Sequence, residues 1–225
     1  MKRPVRGLKD NRILNKIQKG FLERFVHSDL SSHFRLSGGT ALSAFYLEHR
    51  YSEDIDLFSS EKVPLYAIER FLKSIPFVER FVITKLYDRN IFLIKTREKR
   101  QLKVEFTHYP LKLIDKINII DGLQIESFLD IVVNKLCAIT DRVEPKDFVD
   151  LFCAMRQEKL SLERLLDLAE KKCEIEGISH VLKTRLSAVP DGIEKLSLVI
   201  PVTRKVMEDF FYREIKRIIE KEIGD

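Results

Sequence analysis

Residues 36–58 read LSGGTALSAFYLEHRYSEDIDLF, with two aspartates one residue apart, thirteen residues beyond a Gly-Gly-Thr turn. Residues 33–37, before the turn, are expected to form a short strand. Leu42, Phe45, Tyr46 and His49 then share the inner side of a helix over 39–49, and a second strand follows over 54–59. On a strand, positions i and i+2 face the same way. Asp54 and Asp56 therefore project together while Ile55 and Leu57 enter the core. Carboxylates roughly 6–7 Å apart repel unless something neutralises them. Mg²⁺ does this well, because it takes one or two carboxylates together with phosphate oxygens. A bare D-x-D pattern is more often a solvated strand, but its context here favours the cation. Gly38-Gly39-Thr40 stands at a strand-to-helix junction, where free N–H groups and the helix dipole favour an anion. The glycines let a phosphate approach the backbone, and the Thr40 hydroxyl caps the helix or donates to that phosphate. A helix of about ten residues spans roughly 15 Å, so the returning strand sets the two carboxylates opposite the turn.

Working outward, Ile13, Leu14, Ile17, Phe21, Leu22 and Phe25 have helical spacing within 10–28, and Pro64 starts a helix over 64–75. Three strands are predicted over 77–87, 90–97 and 100–108, joined by links short enough for hairpin turns. In the last of them Leu102, Val104 and Phe106 alternate with Lys103, Glu105 and Thr107. Glu105 thus leaves the sheet opposite the apolar set, where it offers a third carboxylate. From Glu126 onward the pattern is helical, over 126–141, 145–158, 161–175, 179–188 and 203–223. The chain reads as α+β, with an α/β part over 1–125 and an all-helical part over 126–225, divided between Gly122 and Glu126.

On a helical wheel centred at Lys135, the apolar Phe128, Ile131, Val132 and Ile139 fall within about 60°. Arg142 lies nearly in line with Lys135, and Asp130, Asn134 and Asp141 form the water-facing stripe. Lys135 and Arg142 therefore emerge from the packing face, either as rim lysine and arginine or facing a triphosphate. Asp147 and Asp150 sit three apart on the next helix, a mildly unfavourable pair. Pro145 opens that helix, so Asp147 also suits its dipole.

The 225 residues are 44% hydrophobic and 33% charged, the balance of an ordinary globular chain. Net charge is +5, divided as +8 over residues 1–125 and −3 over 126–225. A basic first part suits a polyphosphate or nucleic-acid partner. No apolar run approaches the roughly 20 residues of a membrane span, and the basic start lacks a secretory apolar stretch, so the cytosol is expected. Cys137, Cys153 and Cys173 are odd in number and widely spaced, which predicts free thiols on helices rather than a disulfide framework or zinc site. The five histidines make no ligand cluster. Abundant Lys, Glu, Arg and Ile with little Gln or Asn hint at a thermophilic source.

GGT followed by thirteen residues and DIDL resembles the signature of the DNA polymerase β-like nucleotidyltransferases. The fuller string GGTALSAFYLEHRYSEDIDLF is similar to the AbiEii/AbiGii toxin family of that superfamily, as is NKLCAITDRVEPKDFVDLF further on. The resemblance covers roughly residues 20–160 and implies a nucleotidyltransferase-fold mixed sheet with flanking helices. It also implies Mg²⁺ or Mn²⁺, with a nucleoside triphosphate (NTP) as co-substrate. Lys135 and Asp147 match the family's catalytic or nucleotide-contacting lysine and aspartate, and Asp150 its second acidic position. Arg50 and Ser52 match an R-x-S-x-D stretch that touches phosphate. The expected catalytic set is Asp54, Asp56, Glu105, Lys135 and Asp147, the first three as metal ligands. Gly38, Gly39, Thr40, Arg50, Ser52, Lys135, Arg142 and Asp150 are the expected nucleotide contacts. The activity implied is transfer of NMP to an acceptor hydroxyl. The implied biology is the toxin of a type IV toxin–antitoxin or abortive-infection system, modifying RNA, with tRNA foremost, and paired with an antitoxin protein. A protein or antibiotic acceptor, and a non-catalytic RNA- or partner-binding domain, are the alternatives.

Overall fold

The computed structural model describes residues 4 and 6–224, so the basic start of the chain falls partly outside the described residues. Helix α1 (Lys16–Val26) begins at Asn15, whose side chain accepts from the Ile17 and Gln18 N–H groups while Gln18 reaches back to the Asn15 N–H. This capping box satisfies donors that the first turn of a helix leaves free. The buried Gln18 side chain also donates to the carbonyls of Ser52 and Glu53, at 2.8 and 3.1 Å. It thereby fixes the approach to the aspartate strand.

Strands β1 (Arg35–Ser37) and β2 (Ile55–Ser59) pair antiparallel, and β2 pairs parallel with β5 (Gln101–His108). β3 (Val78–Leu86) and β4 (Arg89–Thr96) form a hairpin that extends the sheet from β5. On the other side β1 pairs parallel with β7 (Leu123–Ile125), which pairs antiparallel with β6 (Asn118–Ile120). Among the described residues the order is β3-β4-β5-β2-β1-β7-β6. The sequence reading missed β6 and β7, since three residues are too few to display an alternation.

Between β1 and β2 the expected single helix is two pieces. Helix α2 (Gly38–Leu42) widens into a π-helical turn over Ser43–Leu47, which ends where Glu48 takes a left-handed conformation. Such widened turns recur at functional sites. Helix α3 (Leu65–Ser74) packs Ile68, Phe71 and Leu72 inward.

After Ile125 the chain is helical: α4 (Phe128–Asp141), α5 (Pro145–Glu158), α6 (Leu162–Cys173), α7 (Ile178–Leu186) and α8 (Arg204–Gly224). One apolar core runs from Leu8 through the strands to Ile218. Each large aliphatic or aromatic side chain buried there contributes about 1.5–3 kcal/mol.

Two expectations about α4 are corrected. Asp130, read as facing water, is fully buried: it accepts from Lys172 Nζ at 2.7 Å and from the Ile114 and Asp115 N–H groups. Its partners come from α6 and the loop before β6, which a wheel of one helix does not contain. Cys137 and Cys173, read as free thiols, are joined as a disulfide between α4 and the end of α6, while Cys153 is free and buried. They lie 36 residues apart and meet through helix packing that no local spacing announces.

Candidate active site

The register of three strands builds one row across the sheet, with Asp56 between Ser37 of β1 and Glu105 of β5. Asp54 stands two positions earlier, just ahead of β2. Ile55, Leu57, Val104 and Phe106 are buried beneath, so the alternation that fills the core also turns the carboxylates out together.

Two carboxylates are engaged by cations. Lys103 Nζ lies 2.8 Å from Asp54 Oδ2, and Arg89 donates to Glu105 from Nε at 2.5 Å and Nη2 at 2.8 Å. The Asp56 side chain accepts no hydrogen bond among the described residues. Burial, followed by the charges of Glu105 and Asp54, lifts its carboxyl to about 6 despite Lys135 nearby. Three carboxylates on one face, with Asp56 half-buried among them and without a side-chain partner, fit a divalent cation in their donor chemistry. As the side chains stand, no three His, Cys, Asp or Glu groups among the described residues converge on one metal position, because Asp54 and Glu105 are turned to Lys103 and Arg89.

The glycines make room for the site's own side chains. Gly38 has φ +69°, and a Cβ there would overlap the Asp56 carboxylate, standing 2.7 Å from its Cγ. A Cβ on Gly39 would overlap the Arg50 guanidinium and stand 3.2 Å from Ser52 Oγ. Thr40 also differs from expectation. It is buried and its hydroxyl donates to the Asp54 carbonyl, tying α2 to the aspartate strand instead of capping the helix or meeting phosphate. Gly38→Ala is expected to cost about 2 kcal/mol or more, through the left-handed backbone and the overlap with Asp56. Urea denaturation checks this, and an unchanged midpoint would contradict it.

Behind the carboxylate row lies a buried ionic cluster. Asp150 accepts from Arg50 Nε and Nη2 at 2.6 and 2.9 Å and from His49 Nε2 at 2.7 Å, with Lys135 Nζ at 2.9 Å. Lys135 also reaches Asp147 at 2.7 Å, and Arg142 Nε donates to Asp147 at 2.9 Å. Burial alone would raise both aspartates, but Lys135 together with Arg50 at Asp150 and Arg142 at Asp147 outweighs it and lowers both. Burial lowers His49, which stays neutral and donates from Nε2, leaving Nδ1 without a partner. Lys135 and Arg50, expected to reach toward phosphate, are thus buried with their charges engaged by α5. The backbone of Arg50 is held from the far end of the chain, by a bridge to Leu198 and by hydrogen bonds that join His49 and Tyr51 to residues 197–200.

A cleft of about 480 Å³, within the range typical of small-ligand sites, opens where the two groups meet. Gly38, Asp56, Arg89, Glu105, Lys135 and Arg142 line it. Larger hollows of about 840 and 760 Å³ lie elsewhere and contain none of these carboxylates. Sequence reasoning missed Arg89, Lys103, His49 and Gln18. The N-x-x-Q spacing of a capping box marked Gln18, helical spacing turned His49 inward and strand alternation put Lys103 on the face of Glu105, while nothing local marked Arg89.

A profile of the family described as nucleotidyl transferase AbiEii toxin, type IV TA system, matches residues 20–222. An uncharacterized protein of Aquifex aeolicus is 32% identical over 214 residues, which are 93% of this chain and 99% of that one. In solved structures the fold is similar to that of MenT4, a nucleotidyltransferase toxin from Mycobacterium tuberculosis, at 15% identity and TM-score 0.55 over 87% of this chain and 81% of that one. It is also similar to JHP933 from Helicobacter pylori, at 17% identity and TM-score 0.53 over 93% and 94% of the two chains. The row of carboxylates beside a glycine turn therefore sits in a fold that nucleotidyltransferases use, and the chain belongs to the AbiEii nucleotidyltransferase toxin family.

Proposed function

We propose that the protein transfers NMP from an NTP to an acceptor hydroxyl, with RNA, and tRNA foremost, as the acceptor. The observation that carries this is the row Ser37–Asp56–Glu105, with Asp54 on the same face and Gly38 against the Asp56 carboxylate. Asp54, Asp56 and Glu105 are the groups to hold Mg²⁺ or Mn²⁺. Bound there, the cation would supply positive charge that lowers the pKa of the acceptor hydroxyl and offsets the charge of the triphosphate. The uncapped first turn of α2, at Gly38 and Gly39, offers N–H groups to the phosphates. Arg142, half-exposed at the cleft, offers its guanidinium, and Ser52 lies beside Gly39. Lys135 supplies positive potential from behind, while Asp147 and Asp150 hold Lys135, Arg50 and Arg142 in place. In the transfer the acceptor oxygen bonds to the α-phosphorus in line, the bond to the β-phosphate oxygen breaks, and pyrophosphate leaves. Residues 1–125 supply Asp54, Asp56, Glu105 and Arg50, and residues 126–225 supply Lys135, Arg142, Asp147 and Asp150.

The basic first part of the chain supports an RNA acceptor, and the family's description supports a toxin with an antitoxin partner in the cytoplasm, where NTPs and RNA are found. Among the described residues no helix is long and apolar enough to cross a membrane. Incubation with labelled NTPs and separate pools of RNA, protein and small molecules tests the acceptor. Label is expected in the RNA pool, and label confined to protein or an antibiotic would overturn that part of the reading.

A further inference from the structure

Glu105 is 5% exposed at its side chain and needs a positive partner. Arg89, 38% exposed at the mouth of the same cleft, supplies one through two parallel hydrogen bonds. Lys103 does the same for Asp54 and lies 3.9 Å from Glu105 Oε2. Both cations come from the sheet itself: Lys103 shares β5 with Glu105, and Arg89 opens β4 after a tight turn. They occupy the two carboxylates that a bound divalent cation must take. If Glu105 turns to a metal ion, the planar fork of Arg89 loses its partner beside Arg142 and Lys135, in a cleft of the size a nucleotide needs. A guanidinium fork matches phosphate oxygens as well as it matches a carboxylate.

We infer that Arg89 is a triphosphate-binding residue held in reserve: it neutralises Glu105 while the site lacks metal and moves to a phosphate oxygen once metal takes Glu105. Charge makes the exchange directional. Three carboxylates against Lys103 and Arg89 leave one negative charge on the row itself, with Lys135 and Arg142 lining the same cleft. A divalent cation on the carboxylates reverses that sign and frees both side chains, so metal loads first and nucleotide second. This rests on the reading of Asp54, Asp56 and Glu105 as metal ligands.

The test is calorimetric titration of Mn²⁺, and then of an α,β-methylene nucleoside triphosphate, into the wild-type protein, Arg89→Ala and Arg89→Lys. Wild type is expected to bind the analogue only with Mn²⁺ present. Arg89→Ala is expected to bind Mn²⁺ at least as tightly as wild type, yet to bind the analogue about 10- to 100-fold more weakly. Arg89→Lys, which keeps the charge without the fork, should fall between them and guards against a simple folding defect. Analogue affinity equal to wild type in Arg89→Ala overturns the assignment, and so does a loss of Mn²⁺ affinity, which would mean that Arg89 only shapes Glu105. A wild-type protein with no Mn²⁺-dependent analogue binding would instead remove the metal reading beneath it.

Discussion

Asp56→Asn is expected to lose nucleotidyl transfer by about 10³-fold or more while melting at a higher temperature than wild type in metal-free buffer. The two effects share one cause. Burial and the charges of Glu105 and Asp54 lift the Asp56 carboxyl from 3.8 to about 6. A carboxyl raised on folding is uncharged in both states at low pH and charged in both at high pH. Its ionisation therefore destabilises the folded protein fully above about 6, and the cost disappears as pH falls toward 3.8. A shift of this size corresponds to about 3 kcal/mol, and the open cleft reduces the expected gain to about 1–2 kcal/mol. Asparagine keeps the shape and removes the charge. An aspartate kept only for structure would behave oppositely, losing stability together with activity. Thermal denaturation in chelator and a transfer assay with Mg²⁺ make the comparison. A fully active Asp56→Asn, or one inactive because it is less stable, would contradict the account.

Asp150→Ala should be among the most destabilising single changes in the chain, by about 3–5 kcal/mol, because it leaves Arg50 and Lys135 buried without their shared partner. Asp150 collects hydrogen bonds from His49 and Arg50 and an ion pair from Lys135, all where water does not reach. His49 cannot replace the lost negative charge, because an imidazole is either neutral or positive. The Asp150 carboxyl is held well below 3.8 despite burial, so its contribution is complete above that value and is lost only as pH falls through its depressed titration. Stability measured from pH 4 to 8 should thus show a constant deficit in the variant. A difference below about 1 kcal/mol would show that the cluster is not what anchors α5 to the π-helical turn.

The parts of this architecture legible in the sequence are those with a short period. The strands at 78–86, 89–96 and 101–108 are legible as strand-like runs joined by short links, and two-residue alternation put Asp54 with Asp56 and set Glu105 opposite the apolar set of its strand. Helix α5 begins at Pro145 and ends at Glu158, the bounds its composition predicts. What escaped was pairing over distance. Arg50 and Asp150 are 100 residues apart, and nothing local distinguishes an arginine bound for phosphate from one bound for a buried aspartate. The glycines were readable as a necessity but not as to what they admit. The structure sets Asp56 and Arg50 where a phosphate was expected to need the space. Arg89 and Lys103 looked like ordinary strand cations until the register brought them to the carboxylates.

The most direct measurement follows the fate of each phosphate. Wild-type protein and Asp56→Asn are incubated with Mg²⁺, a cell extract as acceptor, and NTPs labelled at either the α- or the γ-phosphorus. Wild type is expected to fix the α-label covalently to an acceptor and to release the γ-label in pyrophosphate, and the variant to do neither. Transfer of the γ-label, or equal fixation of the α-label by both proteins, would contradict the proposed transfer.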